Sequence, residues 1–292
     1  MAILCSAVLW GTLWIPLRQL DKSSLGGASS TTASLLLPLI LLLPFALTKW
    51  RRIAAAGPEL GFLASCLALS FALYAEGLVR GPVARVILLF YLTPVWSTLL
   101  GRLLLGELIT LRRFVTITLG LAGMAVIFDV WARVPVPSGA ADWMGLAAGM
   151  IWGLSLVYVK RTASRPLLDR IFVQFVFLGP VFFLVTLIPG GGSHHSLDIP
   201  ALLDSAPWLL ALAVVWMLPV TWLTLFGASR IDPGRVSILL MFEIIVGLST
   251  AALLANEPFG LRELTGAVLI MGASGVEMIA EPRPPGPRRV GD

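Results

Sequence analysis

The sequence predicts an all-α membrane protein that crosses the bilayer many times. Of its 292 residues, 58% are hydrophobic and 13% are charged, and the mean hydropathy is +0.92. A soluble protein carries about a quarter charged residues, so this chain needs lipid as its solvent. Its apolar residues form blocks of about twenty residues, the length of a transmembrane helix. A transmembrane β-strand would instead alternate apolar and polar residues over about ten positions.

Proline, glycine and charged residues divide the chain into ten apolar blocks, which we call spans 1 to 10. We predict helices, in that order, at 2–20, 30–49, 58–79, 82–104, 111–131, 141–161, 168–188, 205–229, 233–255 and 260–280. The connection Pro189–Asp204 is predicted to be the most mobile loop, and the Pro- and Arg-rich segment 281–292 a disordered cytoplasmic tail.

The distribution of positive charge predicts the orientation of the spans. The net charge is +5, but the Lys and Arg residues are spread over short loops, which argues against a nucleic-acid partner. Of 21 such residues, 15 lie on the side of the N-terminus. The other side holds six, namely Arg18, Lys22, Arg80, Arg85, Arg133 and Arg262. We therefore expect a multi-pass inner-membrane protein with both termini in the cytoplasm.

The two halves of the chain resemble each other. Trp10-Gly11 opens the first half as Trp152-Gly153 opens the second, and several polar residues recur at an offset of 150, among them the pairs Arg80/Arg230, Arg85/Arg235 and Glu107/Glu257. Five helices per half is an odd number, so the halves 1–133 and 141–280 should have opposite orientations. Inverted repeats are typical of transporters, although duplicated membrane domains can have other roles.

Four sets of residues carry a family resemblance. They are the Trp-Gly pairs of spans 1 and 6, the Gly106-Glu107 and Asn256-Glu257 elements, the segment Tyr91–Val95 in span 4, and Phe242–Ile245 in span 9. With these, the chain resembles the drug/metabolite transporter superfamily and its ten-helix EamA-type exporters. In that family a proline usually follows the glutamate of span 9. Ile244 stands there in this chain, which leaves a kink in span 9 open.

The resemblance implies a basket of helices around a central cavity lined by spans 1, 3, 4, 6, 8 and 9, with spans 5 and 10 outside. Small residues on those two outer spans would permit close packing, namely Gly120, Gly123, Gly266, Gly272 and Gly275. Within the superfamily, the aromatic content is most similar to that of bacterial aromatic amino acid exporters, which also pass methyl viologen.

Aromatic residues in the middle of the spans are candidates for substrate contact. An indole N–H or a phenol facing lipid would lack a partner, so these side chains should face other helices or a wet cavity. Stacking and cation–π contacts would suit a flat aromatic or cationic substrate. The predicted substrate-binding residues are Trp10, Trp14, Tyr74, Tyr91, Thr93, Trp96, Trp152, Ser155, Met241 and Glu243. The alternative is that some of the aromatic residues only fill gaps between helices.

Glu243 is the most informative residue, because a carboxylate at mid-membrane is costly unless it faces protein or water. It could bind a cation or carry a coupling proton, or it could only accept hydrogen bonds from neighbouring helices. Pro94 and Pro219 are predicted hinges within cavity-lining spans.

Other charged residues have simpler predicted roles. Glu76 should pair with Arg80 one turn away. Glu107 and Glu257 lie next to helix N-termini, where a carboxylate interacts favourably with the helix dipole, so we expect them to cap these helices. Glu277 should reach the membrane interface. The pair His194-His195 lacks other spaced ligands, so we expect a solvated turn and no metal site.

No enzyme or ATP-binding motif occurs, so we expect no cofactor and transport that is passive or driven by an ion gradient. Spans 1, 3, 4, 6 and 9 offer no mid-depth Lys or Arg, which argues against phosphate-bearing substrates. The prediction is a monomeric secondary transporter in the lipid bilayer that exports small amphipathic metabolites, aromatic amino acids first and aromatic cations second. The alternatives are a broad-specificity carrier, a membrane enzyme or a lipid-handling protein.

Overall fold

The protein is described by a computed structural model that covers residues 1–22, 28–55, 57–129, 136–186, 199–255 and 258–279. Every regular element in these ranges is helical. In chain order the elements are α1 (Ala2–Thr12), α2 (Trp14–Lys22), α3 (Ala28–Ala54), α4 (Pro58–Arg80), α5 (Val83–Phe90), α6 (Thr93–Leu105), α7 (Leu111–Ile127), α8 (Ala140–Arg161), α9 (Leu167–Thr186), α10 (Ile199–Asp204), α11 (Ala206–Ala211), a π-helical segment (Leu212–Met217), α12 (Leu218–Ala228), α13 (Pro233–Leu240), α14 (Phe242–Ala255) and α15 (Leu261–Ile279).

The predicted all-helical membrane fold is confirmed, since each of the ten predicted spans contains a helix at the expected place. Six helical stretches within the described ranges are long and apolar enough to cross a membrane, by length and composition: Ala2–Leu20, Pro58–Arg80, Val83–Leu105, Ala140–Arg161, Ala206–Ala228 and Pro233–Ala255.

The predicted loop Pro189–Asp204 is corrected at its end. Residues Ile199–Asp204 form the short helix α10, which carries a proline in its first turn, where the missing N–H costs no hydrogen bond. The remainder of that loop, with His194-His195, lies outside the described residues. So do Asn256, Glu257 and the predicted tail 281–292.

Four spans that line the interior are interrupted near their middle. Span 1 breaks at Leu13, span 4 between Phe90 and Thr93, and span 8 carries the π-helical segment. A proline lies within three residues of each of these interruptions, where it removes a backbone donor.

Span 9 is also interrupted, at Met241, three residues before the position where the family usually has a proline. The N–H of Ile244 bonds the Met241 carbonyl at 3.1 Å, one residue closer than in a regular α-helix. The break therefore occurs without a proline, at the position 150 residues after Tyr91.

Glycines allow the central helices to approach closely. A Cβ added to Gly149 of α8 would lie 2.3 Å from the Phe90 carbonyl oxygen. One added to Gly11 of α1 would lie 2.5 Å from the Glu243 carbonyl oxygen. The two helices that carry the Trp-Gly motifs thus pack against interrupted spans, with α8 on α6 and α1 on α14.

Helices α7 and α15 pack against each other, as expected for spans 5 and 10. Gly123 and Gly266 meet at this contact, where an added Cβ on either would lie within 2.7 Å of a backbone oxygen of the other helix. Gly120 faces Met241 instead. The expectation for Gly272 and Gly275 is wrong, since a Cβ on either would meet nothing within 4 Å.

Candidate substrate cavity

A cavity of about 390 Å³ lies between the interrupted helices. It is lined by residues of spans 1, 3, 4, 6, 8 and 9, the six that the resemblance implies, and by none of α7 or α15. Its aromatic wall consists of Trp10, Trp14, Phe71, Tyr74, Phe90, Tyr91 and Trp152. The size and the apolar lining suit one small ligand with a flat ring.

The aromatic side chains are held in place by contacts with one another and with neighbouring helices. The Tyr74 and Phe90 rings are 4.3 Å apart between centroids, and Phe90 meets Tyr91 edge-on at 5.4 Å. The indole N–H of Trp14 donates to the Thr250 hydroxyl at 3.0 Å. These contacts restrict the rings to fixed orientations, which suits stacking on a planar ligand.

Glu243 lies in the first turn of α14, directly after the break at Met241, and faces the cavity. The hydroxyl of Tyr91, at the break of span 4, donates a hydrogen bond to its carboxylate. The breaks in spans 4 and 9 thus lie beside two side chains that meet in the cavity wall. Among the described residues that line the cavity, Glu243 is the one with a charged side chain.

Three serine and threonine hydroxyl groups also belong to the polar part of the wall: Ser70, Thr93 and Ser237. Ser70 donates to the Ala148 carbonyl at 2.8 Å. Thr93 donates to backbone carbonyls of Phe90 at 2.6 Å and Gly149 at 3.2 Å.

Ser237 has two hydrogen-bond partners, the Gly234 carbonyl at 3.0 Å and the Ser97 hydroxyl at 2.7 Å. Because Ser97 and Ser237 each have one proton, and their other acceptors are backbone carbonyls, the pair consumes both protons internally.

Seven of the ten predicted substrate-binding residues line this cavity: Trp10, Trp14, Tyr74, Tyr91, Thr93, Trp152 and Glu243. The other three lie elsewhere. Met241 is fully buried beside Met124 and Ile270. Ser155 is fully buried and donates to the Trp152 carbonyl at 2.7 Å. Their depth was predictable, but the face of the helix they occupy was not.

Trp96 packs against Gly153, where its Cβ faces the Trp-Gly motif of α8. Its indole Nε1 is buried, with no hydrogen-bond partner among the described residues. The predicted hinges lie directly after helix interruptions, since Pro94 is in the first turn of α6 and Pro219 in the first turn of α12, after the π-helical segment.

Sequence reasoning missed several lining residues, notably Ser70, Phe90 and Ser237. Ser70 lies four residues before Tyr74 on α4, and this spacing places both on one face of the helix. That signal was available. Ser237 lies on the other side of the Met241 break from Glu243, so helical spacing alone could not relate the two.

A cluster of ion pairs lies at the end of the bundle that the charge distribution predicts to be cytoplasmic. Lys160, at the end of α8, donates to both Glu107 and Asp232 at 2.7 Å. Burial raises the pKa of Glu107, although the hydrogen bond from Lys160 acts in the opposite direction. Burial alone would raise the pKa of Asp232, but the hydrogen bond and charge of Lys160, with Arg113, outweigh it and lower the pKa.

Two predicted roles at this end are wrong. Glu107 does not cap α7, because its carboxylate pairs with Lys160, while the Thr110 side chain accepts from the Arg113 N–H at 3.2 Å. Glu277 does not reach the interface. It is fully buried, 3.1 Å from the Arg113 guanidinium and 2.8 Å from the Thr116 hydroxyl. At the opposite end, the predicted Glu76–Arg80 pair is confirmed at 2.7 Å.

The sequence profile of the EamA-like transporter family matches residues 1–129 and 139–276, nearly the whole of the chain. The chain belongs to the EamA-like transporter family. It is therefore a multi-pass membrane transporter, and the aromatic cavity lies at the centre of a transporter fold.

Named relatives agree with this membership. The chain is similar to "Uncharacterized transporter YvbV" of Bacillus subtilis, with 24% identity over 90% of this chain and 86% of the relative. It is also similar to "Uncharacterized transporter" of Archaeoglobus fulgidus, with 24% identity over 92% of each chain. A third relative, "Probable amino-acid metabolite efflux pump" of Escherichia coli, is 28% identical over 60% of each chain.

A solved structure titled "Crystal structure of protein" superposes on 95% of this chain and 95% of its own, with a TM-score of 0.72 and 19% identity. At this identity the likeness shows the shared fold alone. The same arrangement of helices therefore occurs in a solved structure.

Proposed function

We propose that this transporter exports small amphipathic metabolites, aromatic amino acids first among them, across the inner membrane by alternating access. The observation that carries the proposal is the cavity itself, which combines a nearly continuous aromatic wall with a single carboxylate at the seam between the halves. A planar side chain would stack on the aromatic wall, and an amino group would pair with Glu243.

Export of amino-acid metabolites is also supported by the Escherichia coli relative, whose name describes an efflux pump for such compounds. Aromatic cations are a second candidate, because Glu243 is a negative charge among lining residues that include no Lys or Arg in the described part of the chain. The aromatic wall would attract a cation through its ring faces.

Alternating access requires two similar halves that can exchange conformations, and several contacts favour an inverted repeat of 1–133 and 141–280. Helix α4 packs on α8, and its counterpart α12 packs on α1. Likewise, α6 packs on α8 and its counterpart α14 packs on α1. The family profile also matches two separate stretches, one in each half.

The cavity occupies the half of the bundle away from the Lys160 ion pairs. With cytoplasmic termini, this arrangement corresponds to an outward-facing state whose cytoplasmic end is closed by ion pairs between the halves. Reloading from the cytoplasm would then require the Lys160–Glu107 pair to separate, with Pro94 and Pro219 as the hinge positions.

A flux assay in proteoliposomes tests the proposal. Purified protein would be assayed with radiolabelled phenylalanine, tyrosine and tryptophan, an aromatic cation, and leucine as a non-aromatic comparison, with and without a pH gradient. We expect aromatic substrates to be transported and Trp10→Ala or Trp152→Ala to lower their flux several-fold.

Trp50→Ala is the matched control, because Trp50 is 60% exposed at the end of α3 and lies far from the cavity lining. It should leave the flux unchanged. Absence of flux for every aromatic compound, or equal preference for leucine, would contradict the proposed function.

A further inference from the structure

The hydrogen-bonding groups of the cavity wall are mostly acceptors. The hydroxyl protons of Ser70 and Thr93 are donated to backbone carbonyls, and the proton of Ser237 is consumed by Gly234 or Ser97. A hydroxyl carries one proton and two lone pairs, so these groups offer only acceptor oxygens to a ligand. The carboxylate of Glu243 adds two more acceptor oxygens.

Two of these acceptors lie at nearly the same depth in the cavity. Ser70 and Thr93 donate to Ala148 and Gly149, two consecutive carbonyls of α8, so α4 and α6 present their hydroxyls side by side along that helix. The Glu243 carboxylate, which accepts from the Tyr91 hydroxyl, lines the same cavity.

Positive charge is not part of the described lining. Helices α2 and α4 both contribute residues to the cavity lining, and the described cations on these two helices lie outside that lining. Arg18 of α2 is exposed, with its guanidinium 5.8 Å from the Trp14 ring centroid. Arg80 of α4 is paired with Glu76 at 2.7 Å. Among the described lining residues, a carboxylate would therefore meet no Lys or Arg side chain.

Neutral donors are available, but they are few. Among the described lining groups, the donors without a hydrogen bond to the protein are the indole N–H groups of Trp10 and Trp152 and the hydroxyl of Tyr74. These could solvate a carboxylate in part. They could not neutralise it, and a second negative charge beside Glu243 at low dielectric would be costly.

We propose that the cavity selects the ammonium group of its ligand, and that its preferred substrates are aromatic primary amines with no free carboxylate. The inference rests on the proposed function and revises its order of substrates, because it places aromatic amines before aromatic amino acids. A primary ammonium has three N–H donors for Glu243 and the hydroxyl oxygens, and its single charge balances that of Glu243. An amino acid zwitterion supplies the same donors but leaves an unbalanced carboxylate.

The same acceptors distinguish a primary amine from a quaternary one. A trimethylammonium group keeps the charge and the cation–π contacts but has no N–H to donate. It would remove water from the free lone pairs of the Ser70 and Thr93 oxygens without donating to them, and an acceptor that loses water without gaining a donor lowers affinity. Primary amines should therefore bind more tightly than their trimethylated forms.

Isothermal titration of the purified, detergent-solubilised protein tests this with four ligands that share one ring: tryptamine, tryptophan, indole-3-propionate and N,N,N-trimethyltryptammonium. We expect tryptamine to bind about tenfold or more tighter than tryptophan and trimethyltryptammonium, because charge-assisted hydrogen bonds distinguish them. Indole-3-propionate should bind weakest.

Variants test which residues produce these two ligand preferences. Glu243→Gln should remove the preference for tryptamine over tryptophan, and Thr93→Ala or Ser70→Ala should narrow the gap between tryptamine and its trimethylated form. Ser65→Ala is the matched control, because Ser65 donates to a carbonyl of the same helix, α4, at 2.8 Å but does not line the cavity. It should change neither ratio.

The relative affinities of the wild-type protein for the four ligands test the amine preference even if a variant fails to fold. Tryptophan binding as tightly as tryptamine, or equal binding of the primary and quaternary amines, would overturn the amine preference while leaving the proposed function intact. If none of the four ligands binds and none is carried in the flux assay, the proposed function fails as well.

Discussion

Replacing Arg113 with methionine should lower the free energy of unfolding by about 3 kcal/mol. The Glu277 carboxylate is fully buried, and Arg113 supplies the nearest cation, with Nε 3.1 Å from Oε1. Breaking a buried pair by removing one partner costs about 3–5 kcal/mol. We expect the lower end, because the Thr116 hydroxyl stays bonded at 2.8 Å and the Arg235 guanidinium lies 3.9 Å from Oε2.

The assay is reversible unfolding in mixed detergent micelles, followed by tryptophan fluorescence. Arg112→Met is the matched control, because Arg112 is exposed and should change stability by less than about 0.5 kcal/mol. The double variant Arg113→Met/Glu277→Met should recover much of the loss, since an apolar pair can replace a buried ion pair at little cost. A loss below about 1 kcal/mol in Arg113→Met, or no recovery in the double variant, would refute the reasoning.

Further predictions concern packing and the ion pairs of Lys160. Gly149→Ala should destabilise the protein and lower transport, because the new Cβ would meet a backbone oxygen at 2.3 Å; Gly272→Ala, with open space at that site, should do neither when both are compared by thermal unfolding and flux. Lys160→Met should favour opening of the end predicted to be cytoplasmic. The readout is faster chemical labelling of a cysteine introduced between the cavity and the Lys160 ion pairs. Unchanged labelling would contradict the view that these ion pairs close that end. On acidification Glu107, with its raised pKa, should be neutralised first, whereas the lowered pKa of Asp232 keeps its pairing with Lys160, and the stability it contributes, until the pH falls through that value. Because the folded-state pKa of Glu107 is raised, its neutralisation should not lower the free energy of unfolding. The loss of stability on acidification should therefore come in one step that belongs to Asp232, and Glu107→Gln should leave that step in place.

The helices and the membrane class could be predicted from local pattern, because an apolar block about twenty residues long has few alternatives. Much of the cavity lining could also be predicted from the sequence, since Trp10, Tyr91 and Trp152 are aromatic residues with a polar group and lie near the middle of apolar blocks. An N–H or O–H at that depth must face protein or water, which restricts the side chain to the interior.

The remaining errors share a physical cause, which is that contacts between distant residues leave no local trace. Glu277 is bonded by a threonine 161 positions away, and Glu107 by a lysine 53 positions away. Helix breaks add to the difficulty, because helical spacing cannot be continued across the interruption at Met241. Likewise, Trp96 follows the interruption of span 4 between Phe90 and Thr93, so helical spacing from Tyr91 could not show which face it occupies.

The measurement that tests the central claim most directly is substrate flux by Glu243→Gln in proteoliposomes, with tryptophan and tryptamine as substrates. Glu59→Gln is the control, since Glu59 is an exposed carboxylate in the first turn of α4. We expect Glu59→Gln to behave as wild type and Glu243→Gln to lose about tenfold or more of its flux, because the ammonium group loses its charged partner. Wild-type flux and unchanged pH dependence in Glu243→Gln would contradict a cavity that works through this carboxylate.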